Sequence, residues 1–188
     1  MLNVAVFSNL ISIGDNLTIR NNSALLNIEG LSNLTSIAGD CVINDNAALS
    51  NLDGLSALVS IEGDCLIRNN ESLTNLDGLS NLESINGLTI TSNFNLSNIN
   101  GLAGLASSIE GHLDIGNNII LSNLDGLSNL TSIGDYLNIA NNESLTNIDG
   151  ISNLASIGGY LNISSNDLLP NLDGLSNLTS IGDYLEIW

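Results

Sequence analysis

The chain has 188 residues, of which 20 are Asp or Glu and only 2 are Lys or Arg, for a formal charge of −18. That balance excludes a nucleic-acid binder, because neutralising phosphates takes clustered cations and only Arg20 and Arg68 are present; it also argues against an anionic membrane surface as partner. Hydrophobic residues make up 43% and charged ones 12%, so the acidity is not that of a disordered chain, and with aromatics at 3% the core must be aliphatic.

From the first residue the chain is repetitive. Met1–Leu10 lacks the basic start and long apolar run of a signal peptide. It aligns without a gap onto Leu25–Leu34. The phrase Gly30-Leu31-Ser32-Asn33-Leu34-Thr35-Ser36-Ile37 returns from Gly54, Gly78, Gly101, Gly126, Gly150 and Gly174, at steps of 24, 24, 23, 25, 24 and 24 residues. A residue missing after Gly87 accounts for the short step, and an extra one within Ala106-Ser107-Ser108 for the long one. No stretch approaches the ~18 apolar residues of a membrane span.

Numbering one repeat from Leu17, positions 1 and 3 are aliphatic or Cys, as in Leu17/Ile19 and Leu137/Ile139, which is strand spacing. Position 6 is Asn in each copy (Asn22, Asn46, Asn70, Asn93, Asn118, Asn142, Asn166). So is position 11 (Asn27, Asn51, Asn75, Asn98, Asn123, Asn147, Asn171). Position 9 is Leu, position 14 is Gly, and positions 15, 18 and 21 are aliphatic with few exceptions. The three-residue spacing here suits short strands or tight helical turns, with the glycines at bends that need positive φ or close backbone approach.

Such a unit cannot bury its apolar face alone, whereas stacked copies can. The expectation is an all-β parallel solenoid of about eight 24-residue coils, forming one domain over 1–188. Repeats start near residues 17, 41, 65, 88, 113, 137, 161 and 185, with no evident capping units. Stacked in register, both Asn columns are expected to be structural ladders, their amides bonding to one another and to turn backbone.

The run from Leu130 to Leu145, Leu-Thr-Ser-Ile-Gly-Asp-Tyr-Leu-Asn-Ile-Ala-Asn-Asn-Glu-Ser-Leu, resembles the repeat of receptor L domains. These are the leucine-rich-like ligand-binding domains of the insulin and epidermal growth factor receptors. Similar repeats occur in fungal cell-wall glycoproteins and bacterial surface proteins. The resemblance covers essentially the whole chain. It implies a right-handed parallel β-solenoid and an extracellular or cell-surface setting, and it carries no ligand.

Several columns carry candidate chemistry. Position 13 is acidic in most copies, including Asp53, Asp77, Asp125, Asp149 and Asp173. Carboxylates one strand spacing apart repel one another, so this column either bonds local backbone N–H groups or is bridged by calcium; no other cofactor is expected. Cys41 and Cys65 both occupy position 1 and read as buried small hydrophobes. His112 is the single histidine, faces outward at position 24, and has no partner that would build a catalytic group, so an enzyme is not expected. Tyr136, Tyr160 and Tyr184 share position 24 and form an outward strip that could meet a surface protein or a carbohydrate.

The chain enters the repeat at position 9 and leaves it at position 4, so the two ends could meet head to tail with four positions missing. The first coil replaces the acidic-Gly pair by Ala5-Val6. Residues 1–28 carry Asp15 and Arg20, net zero, whereas 161–188 carry Asp167, Asp173, Asp183 and Glu186, net −4. Two functions follow as expectations. One is a non-catalytic extracellular structural protein that self-associates into a fibre through Met1, Leu2, Val4, Val6, Phe7, Leu185, Ile187 and Trp188. The other is a cell-surface adhesive or ligand-binding module of a larger protein. Neither involves nucleic acid or membrane insertion.

Overall fold

A computed structural model describes residues 4–188; Met1 and Leu2 of the expected contact lie outside the described residues. In chain order the strands are β1 (Ser12–Ile13), β2 (Leu17–Arg20), β3 (Ser36–Ile37), β4 (Cys41–Asn44), β5 (Ser60–Ile61), β6 (Cys65–Arg68), β7 (Leu88–Thr91) and β8 (Ser108–Ile109). There follow β9 (Leu113–Gly116), β10 (Ser132–Ile133), β11 (Leu137–Ala140), β12 (Ser156–Ile157), β13 (Leu161–Ser164), β14 (Ser180–Ile181) and β15 (Leu185–Ile187). Short 3-10 turns such as Asp53–Leu55 and Asp149–Ile151 complete the coils. The described residues contain no α-helix, and no helix is long and apolar enough to cross a membrane.

Each coil contributes one four-position strand to a single parallel sheet, in the order β15-β13-β11-β9-β7-β6-β4-β2. Positions 1 and 3 pair with themselves from coil to coil, as in Cys41↔Cys65 and Ile139↔Ile163. This is the parallel β-solenoid the period implies. The alternation puts position 1 and 3 side chains inside: Leu113, Ile115, Leu137 and Ile139 are fully buried. With positions 9, 12, 15, 18 and 21 they make one continuous aliphatic core.

The two changes of coil length fall on the same corner. The short sheet of Ser-Ile pairs is split into β1-β3-β5 and β14-β12-β10-β8, and between them only the isolated pair Ser60↔Ser84 extends the first. Within the long sheet, Cys65↔Leu88 and Leu88↔Leu113 stay in register across both changes. The corner absorbs the missing and the extra residue because its main chain is bound by few bonds, whereas a one-residue slip in the long sheet would turn every core side chain outward.

The glycines at position 14 are needed for close approach. A Cβ at Gly54, Gly78 or Gly126 would overlap the carbonyl of Ile28, Leu52 or Ile99 in the coil before. None of the described glycines has positive φ, contrary to the other role expected of them. The left-handed backbone falls instead at position 5, on Asn21, Asp45, Asn69, Ser92, Asn117, Asn141 and Ser165, with φ between 52° and 58°. Asn and Asp tolerate this region because their short side chains bond locally. The reversal there takes the chain out of the strand and carries the following Asn inward.

Both cysteines are free and buried, as expected of small hydrophobes. A hydrogen bond with Cys41, then burial, holds the Cys65 thiol well above its ordinary pKa, so it stays protonated and inert.

Replacing Gly126 by Ala drives a methyl into the Ile99 carbonyl and is expected to cost roughly 1–3 kcal/mol. Gly14→Ala, with open space around it, is the control and leaves the melting temperature essentially unchanged. Replacing Asn93 by Leu strips partners from the buried Asn70 N–H and Ile67 carbonyl. It is expected to cost about 3 kcal/mol in a chemical denaturation series.

Candidate functional site: the ladders and the outer face

The position 6 asparagines form a ladder through the interior. Asn46, Asn70, Asn93, Asn118 and Asn142 have no exposed surface. The Asn70 Oδ1 accepts the Asn46 N–H at 3.2 Å, the Asn93 Oδ1 accepts the Asn70 N–H at 3.1 Å, and the Asn142 Oδ1 accepts the Asn118 N–H at 3.1 Å. Each Nδ2 donates to the position 3 carbonyl of the coil before, as Asn46 to Ile19 at 2.9 Å and Asn118 to Ile90 at 2.8 Å. Both ends of each amide therefore reach the preceding coil, and the Asn46 and Asn70 Nδ2 groups also donate to the Oδ1 of the following coil's Asn at 3.2 and 3.4 Å. The main-chain carbonyl of the same Asn accepts the N–H of the Leu three residues on, closing the turn.

Position 11 behaves differently. Its amides stay within their own coil, where Oδ1 accepts the N–H two residues on: Asn51 to Asp53 at 3.1 Å, Asn75 to Asp77 at 3.0 Å, Asn171 to Asp173 at 3.0 Å. This column is a row of local Asx turns and not a ladder. The expectation that its amides bond along the stack is corrected on that ground: a 3-10 turn has an orphan first N–H, and the nearest acceptor is two residues upstream.

Those same N–H groups belong to the acidic column, so Asn and not Asp satisfies the turn. Asp53, Asp77, Asp125, Asp149 and Asp173 are exposed. Among the described residues no three His, Cys, Asp or Glu side chains are gathered for a metal ion. The calcium reading therefore finds no ligand set in this column. In bulk water the repulsion between unit charges at about 4 Å is on the order of 1 kcal/mol, far below its value in a dry interior, so an exposed carboxylate column is tolerable.

The outer face of the long sheet holds the remaining candidates. Tyr136, Tyr160 and Tyr184 stack with ring centroids 4.7 and 4.8 Å apart and planes within 1° and 4° of parallel. His112 joins them, 5.0 Å from Tyr136 at 15°. The signal for this was present in the sequence, since His112 shares position 24. Gly87 fills that position one coil earlier, where a Cβ would collide with the His112 ring. The Thr89 Oγ1 and His112 Nε2 lie 2.9 Å apart and fix the imidazole. Because each ring covers the next, the strip shows solvent its edges and hydroxyls. The free ring face in the stack is the outer side of Tyr184, which is 54% exposed.

A second row of amides runs beside the rings at position 2. Asn138 donates to the Asp114 carboxylate at 2.7 Å, and Asn162 donates to Asn138 at 2.6 Å. The mixed composition of position 2 hides this row, because only its last coils carry matched donors and acceptors. The buried Asn162 Oδ1 has no partner; its neighbour in the next coil is Glu186, which when ionised has no proton to give. Arg20 and Arg68 lie on the same outer face and are exposed.

Tyr136 and Tyr160 are half-buried within the strip. Burial, then the charges of Asp114, Tyr160 and Asp135, push its phenol up to about 12, and burial raises Tyr160 in the same direction. An acid whose folded pKa lies above its unfolded value favours the fold only while protonated. Stability from Tyr136 is thus constant below pH ~10, falls as the unfolded phenol ionises, and levels off past about 12. Ultraviolet titration should find one tyrosinate forming near pH 12, and Tyr136→Phe should remove that step.

No family model matches the chain, and no curated protein matches it.

Proposed function

We propose that this chain is a non-catalytic structural protein of the cell exterior that associates head to tail through the open edges of its sheet. The observation that carries this reading is the polarity of the two edge strands. Within the stack, the Leu161 N–H donates to the Tyr184 carbonyl of the following coil at 3.0 Å. The same donor on β15 is the Leu185 N–H, and the same acceptor beside β2 is the Asn16 carbonyl. One edge therefore offers what the other receives, which suits a heterologous contact that repeats without closing.

The side chains at these edges support it. Leu185, Ile187 and Trp188 are 55%, 53% and 73% exposed, and Val6 and Phe7 at the other end are 78% and 49% exposed. Val4 packs against the core. The charge difference between a neutral first coil and an acidic last one favours unlike ends meeting. The likeness of the repeat to receptor L domains supports an extracellular or cell-surface setting.

A second reading is an adhesive or ligand-binding face, favoured by the His112–Tyr184 ring stack and the amide row beside it. Hydroxyl edges and amides suit hydrogen bonding to a partner surface or a glycan better than face-on stacking of a sugar.

Sedimentation velocity over a concentration series of the 188-residue chain separates these readings. Species that lengthen with concentration, seen as thin rods by negative stain, are expected. A monodisperse monomer at micromolar concentration overturns the fibre and leaves the adhesive face.

A further inference from the structure

One slot on the outer face of the long sheet answers neither to the fold nor to the ring stack. We propose that it takes the side chain of a lysine on a partner protein, the stem lying on Val42 and Leu66 and the ammonium between Asp40 and Asp64. Head-to-tail association is not required for it.

Position 24 changes character along the stack. It runs Asn16, Asp40, Asp64 and Gly87, then His112 and the three tyrosines. Asn16 shows what the stack needs there. Its Oδ1 accepts the Asp40 N–H at 2.6 Å, and the Asp40 Oδ1 accepts the Asp64 N–H at 2.9 Å. A neutral amide therefore makes the same coil-to-coil bond as a carboxylate, and the charges of Asp40 and Asp64 are surplus to the stack. The partner of Asp64 is neutral too, its Oδ1 accepting the Asn86 amide at 2.8 Å. The field of this uncompensated charge reaches its surroundings. Beyond the hydrogen bond with Cys41 and burial, it adds to the upward shift of the Cys65 thiol, and beyond burial to that of the Tyr136 phenol.

Position 2 departs from the repeat at the same two coils. Elsewhere it is Thr18, Thr89, Asp114, Asn138, Asn162 and Glu186, as suits an outward site. Val42 and Leu66, paired across β4 and β6, are the apolar exceptions. With Asp40, Asp64, Thr89 and His112 they line a slot of about 220 Å³. That is below the ~300–1,000 Å³ of a pocket for a whole small molecule and suits one long side chain. His112 closes the far end. A Cβ at Gly87 would lie 2.8 Å from both the Asp64 Oδ1 and the His112 Nδ1, so glycine there lets carboxylate and ring approach from either side. The Thr89 hydroxyl, 2.9 Å from Nε2, holds the ring in place.

An apolar floor with carboxylates along one rim is complementary to a cation on an aliphatic stem. Lysine meets this better than arginine. Its ammonium is a point charge with three donors and can reach two carboxylates one strand spacing apart, whereas a guanidinium fork matches a single carboxylate. A second copy of this chain does not supply the group, because both of its cations are arginines and it contains no lysine. The excess of acids draws a basic partner toward this surface from a distance.

The probe is Nα-acetyl-lysine methylamide, titrated into the isotope-labelled 188-residue chain and followed by amide NMR shifts. Saturable shifts are expected at Asp64, Leu66, Thr89 and His112, with millimolar affinity. The norleucine analogue has the stem without the ammonium and should bind at least about tenfold more weakly, and the arginine analogue about threefold more weakly. Asp64→Asn keeps the acceptor for the Asn86 amide and should weaken the lysine probe about tenfold with an unchanged melting temperature. Asp53→Asn removes an equal charge from the position 13 column and should weaken it less than about twofold. Leu66→Asn installs the residue that position 2 carries at Asn138 and should weaken it about fivefold.

The absence of saturable shifts at tens of millimolar probe, equal binding of the norleucine analogue, or tighter binding of the arginine analogue overturns the proposal. So does an equal loss in the Asp64→Asn and Asp53→Asn chains, which would reduce the effect to attraction by net charge. Head-to-tail association, read by sedimentation, stands or falls separately from each of these outcomes.

Discussion

A coil that turns back on itself at every strand end must bury main-chain groups, and buried N–H and C=O groups without partners are costly. The asparagine at position 6 resolves this at each turn. Its amide reaches the coil before with both a donor and an acceptor, and its own carbonyl closes the next turn, as Asn93 does between Asn70, Ile67 and Leu96. No apolar side chain could do this, and a carboxylate would lack the donor. The rest of the architecture follows from the turn so made. The strand ahead of it keeps position 1 and 3 inside, the left-handed residue at position 5 aims the amide, and the aliphatic positions behind it fill the space.

Close stacking has a second requirement, which falls on the other side of the coil. The position 14 glycines let one coil's backbone lie directly against the carbonyl of its neighbour. Side-chain size is therefore constrained at that corner, while coil length is constrained at the long sheet. Between them, at the Ser-Ile corner, coil length is free, although Gly134, Gly158 and Gly182 beside it again lie against the carbonyl of the coil before, and there the chain loses a residue near Gly87 and gains one near Ala106. The outer face is constrained least of all. It carries the Arg residues in the first coils and the ring stack in the last ones, so whatever distinguishes one stretch of the stack from another is written on that side.

The period, the strand positions, the buried thiols and the structural role of Asn22 through Asn166 were legible in the sequence because each depends on a residue type recurring at fixed spacing. What was not legible depends on contacts between coils or on mixed letters. Asn51 and Asn75 look like the ladder asparagines, yet a donor two residues away captures them. Position 5 holds Asn, Asp and Ser, and no single letter announces its left-handed backbone. The glycines suggested conformational freedom, and the stacked coil required instead the absence of a Cβ. The Asp114–Asn138–Asn162 row was invisible because its neighbours upstream, Val42 and Leu66, break the pattern.

The direction of the amide bonds also bears on how such a chain comes to be folded. Asn46 holds on to Ile19 and Asn22, Asn70 to Ile43 and Asn46, and so on along the chain. During synthesis the first coils are complete while later ones are still being made, and a repeat stack can extend from any formed portion. Each newly emerging repeat brings the amide that fastens it to the coil already in place, and in doing so it gives that coil's asparagine N–H its acceptor, as Asn70 does for Asn46. A growing end therefore carries one such N–H without its interior acceptor, and each repeat made supplies it.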